Sequence, residues 1–486
     1  MRCRWVIRWL VLSLGILQGC THYLANAPLE RYDRQGGYRF EALQPGPGNT
    51  DTVFLCLTFS GGGTRAAALA YGVLQELRDT TVTADGGSRR FLQEVDCISS
   101  VSGGSFAAAY YALFRDRIFQ EFEPRFLRRD IQGELLGQVL NPANWFRLMS
   151  PYFNRIDLAA ELYDGTVFEG KRYRNLTGGL RPFILVNATN VALGSRFEFT
   201  QEQFDFLGSD LGEYPLARAV AASSAFPILL SPLSLKNYPS PPGYEVPASV
   251  RNAMKDAATN PRRYLWAKDL LAYQDKAHRP FLHLLDGGLA DNIGLRAVAD
   301  AYTRGFIRRR INNGAIGTLA IIVVNAHTEP PENVDRKENP PHLATVAMKT
   351  ATVSMENFSF ETIEFMRGLA GDRTQAQQDV AACQRLLDAR CPGGPRLTAF
   401  PREVRLHVIE VNFENLQDPK EREFFLGLPT SFALSDHQVD CLIAAGRRLL
   451  RASSEYQALL AELGGRPRED AERAAGFPSG GCRASQ

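Results

Sequence analysis

The sequence predicts an α/β fold, a layered architecture around a mostly parallel central sheet. Three observations carry this. Short β-prone runs alternate with helical patterns along most of the chain. The first of those runs, residues 52–59, is continuously β-prone, which suits a strand buried on both faces. Glycine clusters stand where strands give way to helices.

Taken in order, residues 52–59 form the first β-prone run. Gly61-Gly62-Gly63 follow, and residues 64–78 have helix-forming composition, with Ala66 to Ala70 and then Val73, Leu74 and Leu77. A second apolar run, residues 95–101, ends at Ser102-Gly103-Gly104 and leads into a helix over residues 106–113. Later strands fall at residues 182–188, 281–285, 318–325 and 404–412. A last clear helix covers residues 436–450, where Ser435 supplies the N-cap and Val439, Leu442, Ile443 and Leu450 share one apolar face. Two stretches fit the alternation poorly: residues 114–163, which mix Arg with Phe, Trp and Leu, and residues 237–280, rich in Pro and charge. They read either as rim or lid insertions or as aromatics that complete the core.

The bulk numbers bound the function. The 486 residues carry a formal charge of only +2, so no global field points to nucleic acid. With 45% hydrophobic and 22% charged residues, a large core can be buried. Arg2, Arg4 and Arg8 precede a short apolar stretch that ends Leu17-Gln18-Gly19-Cys20, a charged region followed by an export-signal core too short to span a bilayer. The ending resembles a bacterial lipoprotein processing site, with Cys20 lipidated; an ordinary signal peptide with an incidental Cys is the alternative. The expected organisation is therefore a signal at residues 1–19, a polar tether at 20–50, a catalytic domain at 51–330, a C-terminal extension packed on it at 331–464, and a loose tail at 465–486. Thr21 stands where an Asp in bacterial lipoproteins often marks inner-membrane retention, so the expected location is the outer membrane, facing periplasm or exterior. Nothing in the sequence indicates the oligomeric state.

Of eight cysteines, Cys56 and Cys97 lie in apolar runs and read as inert buried strand residues. Cys383 and Cys391 flank a short segment and could pair in an oxidising compartment. No Cys and His spacing matches a zinc site, so no metal or cofactor is expected.

Three elements carry chemistry. Ser102 stands at a strand-to-helix turn, in Ser100-Val101-Ser102-Gly103-Gly104, a G-x-S-x-G pattern with Ser at the first position. Such a turn lifts a hydroxyl out of the sheet beside the free N–H groups of a helix N-terminus. Gly61, Gly62 and Gly63 expose successive N–H groups, as an oxyanion hole needs. A phosphate cradle competes with that reading, but no Lys-Ser or Lys-Thr follows the glycines. Arg65, just beyond them, either orients the loop or attracts a phosphate head group. Asp286 ends a predicted strand in Asp286-Gly287-Gly288, where its carboxylate shares a sheet edge with Ser102 and can take the proton of the hydroxyl. Among seven His residues, His327 reads as a loop residue and His283 as a sheet residue rather than members of a triad.

In this order the glycine loop, the Ser102 turn and the Asp286 motif resemble the patatin-like phospholipases, as does Ala219 to Pro227 (Ala-Val-Ala-Ala-Ser-Ser-Ala-Phe-Pro). The Gly-Gly-Gly-x-Arg form, with Ala66 next, looks closer to the cytosolic phospholipase A2 branch than to the plant patatins. Ser100 and Ala66 depart from the pattern and bear on head-group and chain preference. The resemblance implies the α/β/α sandwich, a Ser–Asp dyad without His, and hydrolysis of fatty-acyl esters of membrane lipids without a metal. Two other readings stay open: a non-catalytic envelope lipoprotein that binds lipid or a partner, and a lipid transacylase.

Overall fold

The computed structural model describes residues 26–467 except 85, 177, 228, 330–337, 339 and 340, and also residues 481 and 482. The expected signal, Cys20 and most of the expected tail lie outside the described residues. Eight strands build the main sheet: β1 (Val53–Phe59), β2 (Val95–Val101), β3 (Phe183–Asn190), β4 (Ser195–Glu198), β5 (Leu233–Lys236), β6 (Phe281–Asp286), β7 (Thr318–Val324) and β8 (Arg405–Val411). The helices that matter here are α1 (Gly63–Asp79), α2 (Gly103–Phe114), α3 (Ile131–Leu140), α4 (Pro142–Leu148), α5 (Arg155–Tyr163), α6 (Leu216–Ser223), α7 (Gly288–Asp291), α8 (Leu295–Thr303), α9 (Leu343–Arg390) and α10 (Asp436–Ala452).

The strand order is β8-β7-β1-β2-β3-β6-β5, and β4 pairs with β3. From β8 to β3 all neighbours are parallel. Every residue of β1, β2, β3 and β7 is buried, which is what the continuous apolar runs require of strands covered on both faces. The remaining strands run antiparallel, β6 against β3 and β5 against β6.

This direction change builds the site. β3 overruns its pairing with β2, which ends at Val101 opposite Asn187. β6 descends antiparallel along the overhang and ends with Asp286 opposite Ala188, the next residue of β3. Two strands running in opposite directions therefore bring Ser102 and Asp286 to one level.

α1 follows β1 and is buried on almost every side, because α10 covers the face turned from the sheet. Its Glu76 is fully buried and takes both oxygens to Arg451 of α10, at 2.8 and 2.7 Å. A charge removed from water in this way is retained only with a hydrogen-bonded partner. α10 starts as the sequence indicates: Ser435 Oγ accepts from Gln438 N–H, and Gln438 Oε1 accepts from Ser435 N–H. The expected domain boundary near residue 330 does not divide the sheet, since β8 pairs along its whole length with β7.

The cysteine expectations are corrected. Cys56 and Cys97 are not free thiols; they face each other across β1 and β2 and form a disulfide. Cys441 and Cys482 form a second. Cys383 and Cys391 are free and exposed. Cys383 lies within α9 and Cys391 caps it, so eight helical residues at ~1.5 Å rise hold them ~12 Å apart, beyond disulfide reach.

Candidate active site

Ser102 closes β2 and precedes α2 with φ 50° and ψ −122°, a region an L-residue occupies only when its surroundings enforce it. The enforcement is visible. Ser102 N–H donates to Ser223 Oγ at 2.9 Å, and Ser223 Oγ donates to Asn187 O at 2.6 Å. Ser105 Oγ lies 3.1 Å from both Ser100 Oγ and Ser223 Oγ. Behind the turn, Gly103 touches the glycine loop so closely that a methyl on it would lie 1.9 Å from Gly63 O.

The glycine loop reaches the site through positive φ values at Gly62 (137°) and Gly63 (60°). The sequence grouped three N–H donors here; the structure corrects this to two. Gly61 N–H is already spent on Asn292 O at 2.9 Å. Among the described residues, no acceptor takes the Gly62 or Gly63 N–H, while Thr64 N–H donates to Ser431 O at 2.9 Å. A methyl on Gly61 would lie 3.3 Å from Ser102 Cβ, so loop and hydroxyl are immediate neighbours.

Arg65 is turned away from this pocket of donors and is 3% exposed. Its Nε donates to Ala326 O at 3.0 Å, Nη1 to Leu428 O at 2.8 Å and Nη2 to Thr430 Oγ1 at 3.2 Å. These bonds clamp the glycine loop to two others. The phosphate role is thereby corrected: the buried guanidinium is engaged by two protein carbonyls and a threonine hydroxyl. Burial lowers its pKa to about 10.

Asp286 is 3% exposed. Its N–H donates to Ala225 O at 3.0 Å, Gly287 N–H donates to Ser223 O at 3.1 Å, and Thr189 Oγ1 donates to Asp286 O at 2.8 Å. Gly288 N–H donates to Asp286 Oδ1 at 2.8 Å. Burial raises the carboxyl pKa to about 7, opposed by the hydrogen bonds from Gly288 N–H and the Ser102 side chain. A carboxylate that gains its proton near neutrality and touches a serine hydroxyl has the chemistry to serve as a general base. The arrangement can form and break an acyl ester.

A family model for patatin-like phospholipases matches residues 57–299, half of the chain. The chain belongs to the patatin-like phospholipase family. Among solved structures it is similar to human GIVD cytosolic phospholipase A2, at 15% identity and a TM-score of 0.42, over 85% of this chain and 62% of that one. It thus spans less than two thirds of the human enzyme. VipD from Legionella pneumophila is similar at 13% identity and a TM-score of 0.27, over 89% of this chain and 73% of that one. No curated protein matches.

Within this patatin-like site, sequence reasoning missed three supports. Ser223 ties the Ser102 turn to the Asp286 turn; its signal was the serine pair inside an otherwise apolar helix end. Asn292 is the second: its Oδ1 lies where methyl groups on Gly61 or Gly288 would come within 2.7 and 3.0 Å. It links the glycine loop to the Asp286 turn, and its signal was its place six residues after Asp286. Ser431 is the third, and nothing local to it in sequence pointed to the glycine loop. From above, Met355 of α9 packs against Gly288.

Neither His283 nor His327 bonds to Ser102 or Asp286. His283 Nδ1 lies 2.8 Å from Ser234 Oγ, and His327 Nε2 lies 3.4 Å from Glu329 Oε1. His327, Glu329 and Glu414 bring ligand atoms within 4.8 Å of one another, the one such cluster among the described residues; all three are at least partly exposed.

Proposed function

We propose that the chain is a serine acyl-ester hydrolase that releases fatty acids from phospholipids or lysophospholipids through Ser102 and Asp286. The observation that carries this is the Ser102 hydroxyl held on a strained turn against a buried carboxyl with a pKa of about 7, beside two unspent glycine N–H groups. In the reaction, Asp286 takes the Ser102 proton as Oγ attacks the ester carbonyl. The Gly62 and Gly63 N–H groups hold the oxyanion. Asp286 returns the proton to the leaving alcohol, and water then cleaves the acyl-enzyme by the same route. Arg65 adds a fixed positive charge behind the loop.

We further propose that this is the lipoprotein-type arrangement expected from Cys20, with the chain anchored by acyl chains in the cell envelope and with membrane lipid as its substrate. Two disulfides suit an oxidising compartment. No helix among the described residues is long and apolar enough to cross a membrane.

The test is hydrolysis of a panel of lipid esters by wild type and Ser102→Ala across pH. Wild-type kcat/KM is expected to fall as pH drops below about 7, where Asp286 holds its proton, by about tenfold per unit. Ser102→Ala is expected to lose cleavage and labelling by a fluorophosphonate. Retained cleavage in that variant ends the proposal; acyl transfer to an added alcohol in preference to water turns it into the transacylase.

A further inference from the structure

The turn from α3 to α4 is a single residue, Asn141, which ends one helix and caps the next. The two helices and the turn after them expose six large apolar side chains: Leu136, Leu140, Trp145, Phe146, Met149 and Tyr152. Phe146 and Met149 are 71% and 81% exposed. Residues 135–153 contain one charged residue, Arg147, in a chain that is 22% charged. Even Arg147 is occupied, paired with Glu161 and stacked 3.9 Å over the Phe153 ring. Scattered exposed apolar residues need no explanation, but a contiguous stretch without charge does.

The place of this hairpin relates it to the site. Gln132 in the first turn of α3 accepts from Ser431 Oγ at 3.0 Å, and Ser431 O accepts from Thr64 N–H at the glycine loop. Gln132, Leu136 and Leu140 recur every four residues and share a face, so the exposed row starts beside the oxyanion loop. At the other end, α5 follows and brings Tyr163, whose hydroxyl feels the charge of Asp286. The apolar hairpin is therefore tied to the glycine loop at its first end and leads into the helix that runs to the site at its other.

We propose that this hairpin is a bilayer-docking surface, on which the protein lays its site mouth against the lipid. This rests on the lipid-hydrolase reading. The chemistry of the surface favours a lipid occupant. Trp145 has its indole N–H satisfied by Val139 O at 3.2 Å, so the ring enters an apolar phase without stranding a donor. Trp and Tyr suit the headgroup boundary, and the absence of carboxylates along the exposed row removes the groups that bilayer contact would desolvate. Ser102 and Asp286 are nearly closed to water, so a substrate drawn from a bilayer must arrive at a surface that tolerates one.

The test uses the full chain and phosphatidylethanolamine–phosphatidylglycerol vesicles whose acyl chains carry bromine, which quenches nearby Trp fluorescence. Trp145→Phe is expected to remove a distinct share of the quenching seen in wild type, whether or not Cys20 also anchors the chain. The double variant Phe146→Asp, Met149→Asp is expected to hydrolyse vesicle phospholipid about tenfold or more slowly, with cleavage of a soluble short-chain ester unchanged. Quenching that is identical in Trp145→Phe overturns the docking surface. So does an equal fall on both substrates, which marks a fold defect, and so does a change of oligomeric state in the double variant, which assigns the face to a second copy. If no ester is cleaved but Trp145 is still quenched, docking stands and the hydrolase reading fails.

Discussion

Replacing Asp286 with Asn separates the catalytic use proposed for this carboxyl from its cost to the fold. In the native protein its pKa is about 7, against 3.8 for the free side chain, because burial disfavours the charged form. Between these values the native state keeps a proton that the unfolded chain has lost. Wild-type stability therefore falls as pH rises from about 4 to about 7. About three pKa units at 1.36 kcal/mol each put the full loss near 4 kcal/mol once the carboxyl is ionised in both states. Asn is neutral and keeps an oxygen for the Gly288 N–H. Asp286→Asn is therefore expected to be more stable than wild type by about 4 kcal/mol at pH 8 and by less than about 1 kcal/mol at pH 4. Its ester cleavage is expected to fall between about a hundredfold and ten-thousandfold, the usual contribution of a positioned general base. Urea unfolding at the two pH values, beside ester hydrolysis at pH 8, reads both effects. A stability difference that does not change with pH refutes the buried-charge argument. Hydrolysis within tenfold of wild type refutes Asp286 as the base.

Two further outcomes test the surroundings. Arg65→Met strands the carbonyls of Ala326 and Leu428 and loosens the glycine loop, so it is expected to destabilise the protein by about 2–5 kcal/mol; Arg65→Lys should not restore it, since one ammonium cannot serve three acceptors spread over two loops. Thermal unfolding compared with ester hydrolysis checks this, and a fully stable Arg65→Met contradicts the clamp. Cys441→Ser removes a crosslink spanning 41 residues, which the chain-entropy relation values at about 4 kcal/mol, and in urea unfolding the difference should disappear when both proteins are measured in reductant.

Local chemistry made much of this protein legible in sequence. The strands at residues 53–59, 95–101 and 318–324 were found within a residue or so, because a strand buried on both faces must be apolar throughout. Ser102 was legible because a turn between strand and helix with no room behind it demands glycine at 103 and 104. The cap at Ser435 was legible because its hydrogen bonds span three residues. The Gly61 N–H was misread because its acceptor, Asn292, is far away in sequence. Arg65 offered two roles for the same reason: the acceptors that decide between them sit at residues 326, 428 and 430. Cys56 and Cys97 were read as separate because pairing follows strand register, which no single strand contains.

The sequence by itself determined the layered fold, the turn that presents Ser102 and the residue types that meet there, since periodicity, turn chemistry and side-chain reactivity act over a few residues. Only the tertiary structure decided that Asp286 reaches Ser102 along an antiparallel strand on the overhang of β3, and which of the glycine N–H groups stay unspent. Strand direction and hydrogen-bond partners are settled by groups distant in the chain competing for the same space, and that competition exists only once the sheet has closed around them.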